Sequence, residues 1–188
     1  MDNKLNTREK ILTTSSRLFQ LQGYHATGLT EILKESGAPK GSLYYHFPKG
    51  KEQLALESIK LASEIMQKKV KDILENFSEP VEAMEHAIKS LAKIIDEEGL
   101  LDVSISLISL ETYKSSECLR KACKDVFEAM ENIYSEKLIQ CGFDKNETKE
   151  LGLLIQIMIE GAITVSLTKK DTSPLLLVAN KISVLLNH

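Results

Sequence analysis

The residues with the greatest potential for chemistry sit in one stretch, Gly37-Ala38-Pro39-Lys40-Gly41-Ser42-Leu43-Tyr44-Tyr45-His46-Phe47. Lys40, Ser42, Tyr44, Tyr45 and His46 donate hydrogen bonds or offer flat faces. Leu43 and Phe47 are four apart, so on a helix they share one face and read as core anchors, while Lys40, Tyr44 and Tyr45 fall away from it. An exposed face of this kind suits phosphates and base edges. The N–H groups of Gly41 and Ser42 lie near a helix start, where an anion is favoured. Catalysis finds no comparable set. The histidines, His25, His46, His86 and His188, are scattered, without carboxylate or cysteine partners at motif spacing. No Ser-His-Asp or Cys-His layout and no phosphate-cradling glycine loop is visible. Cys118 and Cys123 are five apart with no His or Cys pair to complete a metal site, and Cys141 stands elsewhere. The sequence therefore predicts no catalytic residues, no metal ligands and no cofactor; an enzyme is not expected.

The elements that must position this stretch can be read around it. Gly37 can take positive φ and close a preceding helix, and Pro39 suits the first turn of a new one. Ala26 to Ser36 reads as a short helix capped by Thr27 or Gly28, with Leu29, Ile32 and Leu33 as its buried stripe. Two short helices joined by a tight turn form a helix-turn-helix, whose second helix enters the DNA major groove. A first helix starts near Asn6, where Glu9 completes a capping box. Ile11, Leu12, Ser15, Leu18 and Phe19 make its stripe, and Gly23 ends it. Lys51 opens a long helix to about Phe77.

Residues 7–55 resemble the DNA-binding domain of the TetR family of bacterial regulators. The shared run is Thr7-Arg8-Glu9-Lys10-Ile11-Leu12, Leu18-Phe19, Gly23-Tyr24, Ala26-Thr27, Ile32, Gly37, Lys40 through Phe47, and Lys51-Glu52-Gln53-Leu54. The link Phe47-Pro48-Lys49-Gly50-Lys51-Glu52 is one residue longer than the family's commoner form and resembles the subgroup of lincomycin-resistance regulators of Gram-positive bacteria. The resemblance implies DNA contacts from Thr27, Lys40, Gly41, Ser42, Tyr44, Tyr45, His46 and Lys51; Tyr45 and His46 also admit a structural reading. It further implies a homodimer through the last two helices, a palindromic double-stranded operator, and a planar aromatic or drug-like effector controlling an efflux or resistance gene. Repression released by ligand is the expected mode, and activation stays open because DNA contacts do not set the sign of regulation.

The rest of the chain reads as its sensor. With sparse Gly and Pro, no Trp and much Leu, Ile, Lys, Glu and Ala, the chain is expected to be all-α. The expectation is about nine helices: a three-helix DNA-binding domain over 1–50, then a larger effector-binding and dimerisation domain over 51–188. Residues 1–60 hold nine Lys/Arg against six Asp/Glu, while residues 61–188 hold fifteen against twenty-one. Only the first part would be drawn to a polyanion. Leu100 to Leu110 is expected as a short buried helix rather than a strand, since an isolated strand would lack a partner. Tyr113, Phe127, Met130, Tyr134, Met158 and Glu160 could line an apolar cavity with a few polar groups. Glu160 stands out in an otherwise apolar helix, where a carboxylate needs a partner. The apolar run Leu151 to Leu167 is broken by Gln156 and Glu160 and is short for a membrane span. Met1 to Leu5 carries no apolar targeting region. A cytoplasmic protein without membrane partners is expected.

Overall fold

The computed structural model describes residues 6–98 and 105–186. It is all-helical, with nine helices and no strand among the described residues. The described residues divide into two compact units: those up to 64 together with 105–126, and those from 65 to 98 together with 127–186.

The first unit begins with α1 (Thr7–Ala26). Asn6 caps it, its side chain accepting from the Glu9 N–H while the Glu9 side chain accepts from the Asn6 N–H. Gly23 does not end the helix but kinks it, at φ 84° and ψ 172°. Helix α2 (Leu29–Ser36) follows, closed by Gly37 in the left-handed conformation at φ 64°. There the N–H of Gly37 bonds the Lys34 carbonyl, and that of Ala38 bonds the Leu33 carbonyl. Helix α3 (Ser42–His46) is shorter than Pro39 suggested, because Pro39 to Ser42 forms a separate turn, with the Ser42 N–H on the Pro39 carbonyl. Helix α4 (Gly50–Leu74) begins in this unit. Ile11, Phe19, Ile32, Leu43, Phe47 and Leu54 are fully buried and form the core that holds these helices together. Each such side chain stabilises the fold by roughly 1.5–3 kcal/mol.

Helix α6 (Ser106–Thr112) also belongs to the first unit and packs on α1. The expected helix in this region is present, but it is only half buried. Ile105 and Ile108 face inward, while Leu107 and Leu110 are exposed. The helix end expected at Gly99 and the opening residues of the Leu100–Leu110 stretch lie outside the described residues.

The second unit is built from the rest of α4, α5 (Pro80–Glu98), most of α7 (Glu117–Gln140), α8 (Lys145–Lys169) and α9 (Ser173–Leu186). Asp144 caps α8 by accepting from the N–H groups of Asn146 and Glu147. Its core runs from Met84 and Ile88 through Met130, Tyr134 and Leu138 to Ile155, Ile159, Ala179 and Ile182. Helix α9 packs against both α5 and α8. By length and composition alone α8 could cross a membrane, but Leu151, Ile155, Ile159 and Ile163 place one of its stripes in this core.

Candidate functional site

In the first unit, Leu43 and Phe47 are fully buried and pin α3 to the core by the face that they share. Helical geometry then turns the intervening residues outward. Tyr45 is 82% exposed and Tyr44 64%; Lys40 and Gly41 are exposed just before the helix and His46 is half-buried. The His46 ring meets the Tyr45 ring edge-on at 4.9 Å between centroids. Large exposed aromatic rings are costly to hydrate, and here they carry hydroxyls at their tips. Together with the Lys40 ammonium they form a face of donors and flat surfaces suited to phosphate, sugar and the thymine methyl.

Of the eight residues expected on this face, one is buried and two are engaged by neighbouring groups of their own protein. Thr27 is fully buried, and its hydroxyl donates to the carbonyls of Gly23 at 2.7 Å and Leu18 at 3.2 Å. It locks the kink at the end of α1 and offers no surface to a ligand. Ser42 gives both its N–H and its hydroxyl hydrogen to the Pro39 carbonyl, at 2.9 and 2.6 Å. Its oxygen is left as an acceptor, the wrong polarity for a phosphate. Lys51 points at its own protein: the ammonium sits 4.7 Å from the Tyr24 ring centroid and donates to the His25 carbonyl at 3.4 Å. Burial lowers the Lys51 pKa, and the charge of Glu111 opposes that shift. All three are engaged within the first unit; the exposed face is Lys40, Gly41, Tyr44 and Tyr45, with His46 at its edge.

Arg8 braces the same region. It pairs with Glu57 of α4, and its guanidinium lies 5.1 Å from the Phe47 ring centroid.

The second unit contains a cavity of about 60 Å³. Of the six residues expected to line one, Met130, Tyr134 and Glu160 do so. Phe127 and Met158 are partly buried but do not reach its wall, and Tyr113 is an exposed residue of the first unit. The wall is otherwise aliphatic, with Met66, Ile88 and Ile159 among its residues, and Lys69 and Gln156 add polar groups. Gln156 donates its amide to Glu160 at 3.1 Å, while its carbonyl oxygen is buried without a hydrogen-bond partner. Burial, reinforced by the Glu160 charge, raises the Tyr134 pKa and keeps the hydroxyl neutral. Sequence reasoning passed over Gln156, although it interrupts the apolar run of α8 just as Glu160 does. The cavity is smaller than the roughly 150 Å³ that admits benzene, so a larger guest requires its walls to move.

A short helix of exposed lysine and tyrosine side chains, presented after a glycine turn and fixed by two buried anchors, is the reading helix of a helix-turn-helix. A chain of this class is a DNA-binding transcription regulator. Residues 11–57 match the family model for bacterial regulatory proteins of the tetR family. Residues 80–181 match that for the C-terminal domain of LmrA/YxaF-like transcriptional regulators. The chain is 48% identical to the HTH-type transcriptional regulator YxaF of Bacillus subtilis (strain 168), over 98% of its own length and 97% of the relative's. It is 44% identical to the HTH-type transcriptional regulator LmrA of the same strain, over 97% and 98%. The crystal structure of a TetR transcriptional regulator from Legionella pneumophila shares the fold at a TM-score of 0.85 and 22% identity, over 96% of this chain and 97% of that one. The chain belongs to the TetR family, with a carboxy-terminal domain of the LmrA/YxaF type. It is a transcription regulator and not an enzyme.

Proposed function

We propose that the protein is a cytoplasmic, homodimeric repressor that leaves a palindromic operator when a small aromatic or drug-like ligand enters its second unit, and that it controls an efflux or resistance gene. Residues 1–50 read the DNA through Lys40, Gly41, Tyr44, Tyr45 and His46, and the remainder of the chain senses ligand and dimerises. The observation that carries this reading is the outward face of α3, which places tyrosine and lysine donors in water while Leu43 and Phe47 stay buried. Two further features support it. Helices α8 and α9 expose Leu153, Leu154, Ile157, Leu176, Leu177 and Val184, an aliphatic surface that a second copy would cover. The cavity pairs aliphatic walls with Tyr134, Gln156 and Glu160, a composition suited to an aromatic ligand bearing hydrogen-bond donors. Such a ligand acts only through its different affinity for the DNA-bound and free states. Two-fold symmetry of the protein requires pseudo-palindromic DNA.

The test is selection of duplexes from a random-sequence pool, followed by mobility-shift titration of the winners at physiological salt with competitor DNA. The expected result is a competitor-resistant complex holding two subunits on an inverted repeat, which a panel of aromatic compounds is then screened to dissolve. A smear removed by competitor, with steep salt dependence, would refute sequence-specific reading.

A further inference from the structure

The corner where α1 gives way to α2 is gripped by a residue far away in sequence. At Gly23 the positive φ breaks α1, a conformation that glycine adopts freely. The missing side chain leaves a slot that the Glu111 carboxylate of α6 occupies; a Cβ on Gly23 would lie 2.6 Å from Glu111 Oε2. Across the kink, the His25 N–H donates to Glu111 Oε2 at 3.0 Å. His25 Nε2 also lies 3.2 Å from the Glu111 carbonyl oxygen, a donor's distance for the Nε2–H tautomer. On its other side the His25 carbonyl accepts from Lys51 at the start of α4. A second tie runs from the start of α7 to α4, where Ser116 Oγ donates to Glu52 at 2.6 Å. Residues 105–126 are flanked in sequence by segments of the second unit, yet they fold with the first.

We infer that Glu111 is a positioning residue for DNA reading: its carboxylate holds the Gly23–His25 corner from which α2 and the reading helix α3 are hung. Several features fit this role together. The acceptor is charged and the donor is a backbone amide, which makes a strong hydrogen bond. The bond spans 86 positions in sequence, so it is no local helix cap. Helix α6 packs on α1, with Ile108 buried and Ile105 buried just before it, so the backbone that carries the carboxylate is held. The same Glu111 charge acts on Lys51, the residue holding the opposite side of the His25 peptide. The inference rests on DNA binding by the first unit and is independent of the effector.

The test uses the full-length protein and a duplex selected from a random pool by the wild type. Glu111→Ala is expected to weaken binding to that duplex about tenfold, the loss of one charge-assisted bond. Binding to an unrelated duplex should stay within about twofold, since phosphate attraction is unaltered. Amide hydrogen exchange over residues 23–27 should quicken. Glu111→Gln keeps an acceptor oxygen but not its charge, and should recover about half of the lost binding free energy, roughly threefold in affinity, with partial protection. Glu111→Asp keeps the charge but withdraws it by one methylene, and should behave like Glu111→Ala; it serves as the deletion if the alanine variant does not fold. Wild-type affinity in both shortened variants would overturn the inference. So would equal losses on the selected and unrelated duplexes, or a glutamine variant no better than alanine. Failure of the wild type to select any duplex would instead sink the proposed function.

Discussion

Helix α3 and the pair α8 and α9 both put large side chains into water, but of opposite kinds. On α3 they are Tyr44 and Tyr45, beside Lys40. On α8 and α9 they are aliphatic, including Ile157 at 56% and Leu177 at 59% exposed. A tyrosine offers a hydroxyl and a flat ring, so it can meet the alternating donors, acceptors and methyl groups of a nucleic acid. An exposed isoleucine or leucine has no such partner; water repels it and a matching apolar surface satisfies it. The contrast teaches that one chain can carry two exposed surfaces of opposite chemistry, each on helices held by their own buried side chains.

The strongest way to break this comparison is to put charge on the aliphatic surface. The double substitution Ile157→Glu and Leu177→Glu should leave the monomer folded and abolish the dimer. In a symmetric interface each substitution buries two carboxylates, one from each copy, at a cost of several kcal/mol per ion. Sedimentation equilibrium should read a monomer, and operator affinity should fall with it. A dimer that persisted would place the subunit contact elsewhere.

Removing the polar face of α3 comes next. Lys40→Ala with Tyr44→Ala should lose about 3 kcal/mol of operator binding, since a good contact to a base edge contributes about 1–3 kcal/mol. The melting temperature should stay unchanged, because both residues point to solvent. Unaltered affinity in a titration would remove this helix as the reading element.

Two glycines of α8 sharpen the comparison at smaller scale. Gly152 is buried, and a Cβ there would lie 2.7 Å from the Glu131 carbonyl of α7. Gly152→Ala should therefore destabilise the protein by about 2 kcal/mol in chemical denaturation, the usual cost of overpacking. Gly161 has open space around it in the monomer. Gly161→Ala should raise helix stability by up to about 1 kcal/mol, yet weaken the dimer if α8 is pressed closely against its copy. A stabilised protein with an unchanged dimer would show that the copies do not meet at this glycine.

How far each feature could be read from the sequence follows the distance over which its cause acts. The reciprocal cap between Asn6 and Glu9 depends on residues three apart. The turn at Gly37 depends on one residue's freedom to take positive φ. The anchoring of α3 by Leu43 and Phe47 depends on residues four apart on one face. All three are local, and all three are legible in the sequence, as are the all-helical class and the family. A side chain's type, however, does not reveal what else competes for it. Thr27, Ser42 and Lys51 have the chemistry of DNA contacts, but carbonyls of Gly23, Pro39 and His25 claim them first. The Pro39 and Gly23 carbonyls lie three and four residues away, within reach of a local reading, whereas that of His25 lies 26 residues from Lys51.

What the sequence alone determined, then, is the set of helices, the order of the reading motif and the chemical character of its exposed face, because periodicity and capping are set by neighbours within a turn or two. What only the tertiary structure decided is that Lys51 is drawn to the His25 carbonyl, which half of the expected cavity residues share a wall, and that Glu111 fills the slot beside Gly23. Those outcomes depend on contacts between residues tens of positions apart, whose meeting is fixed by the packing of whole helices and leaves no mark in local spacing.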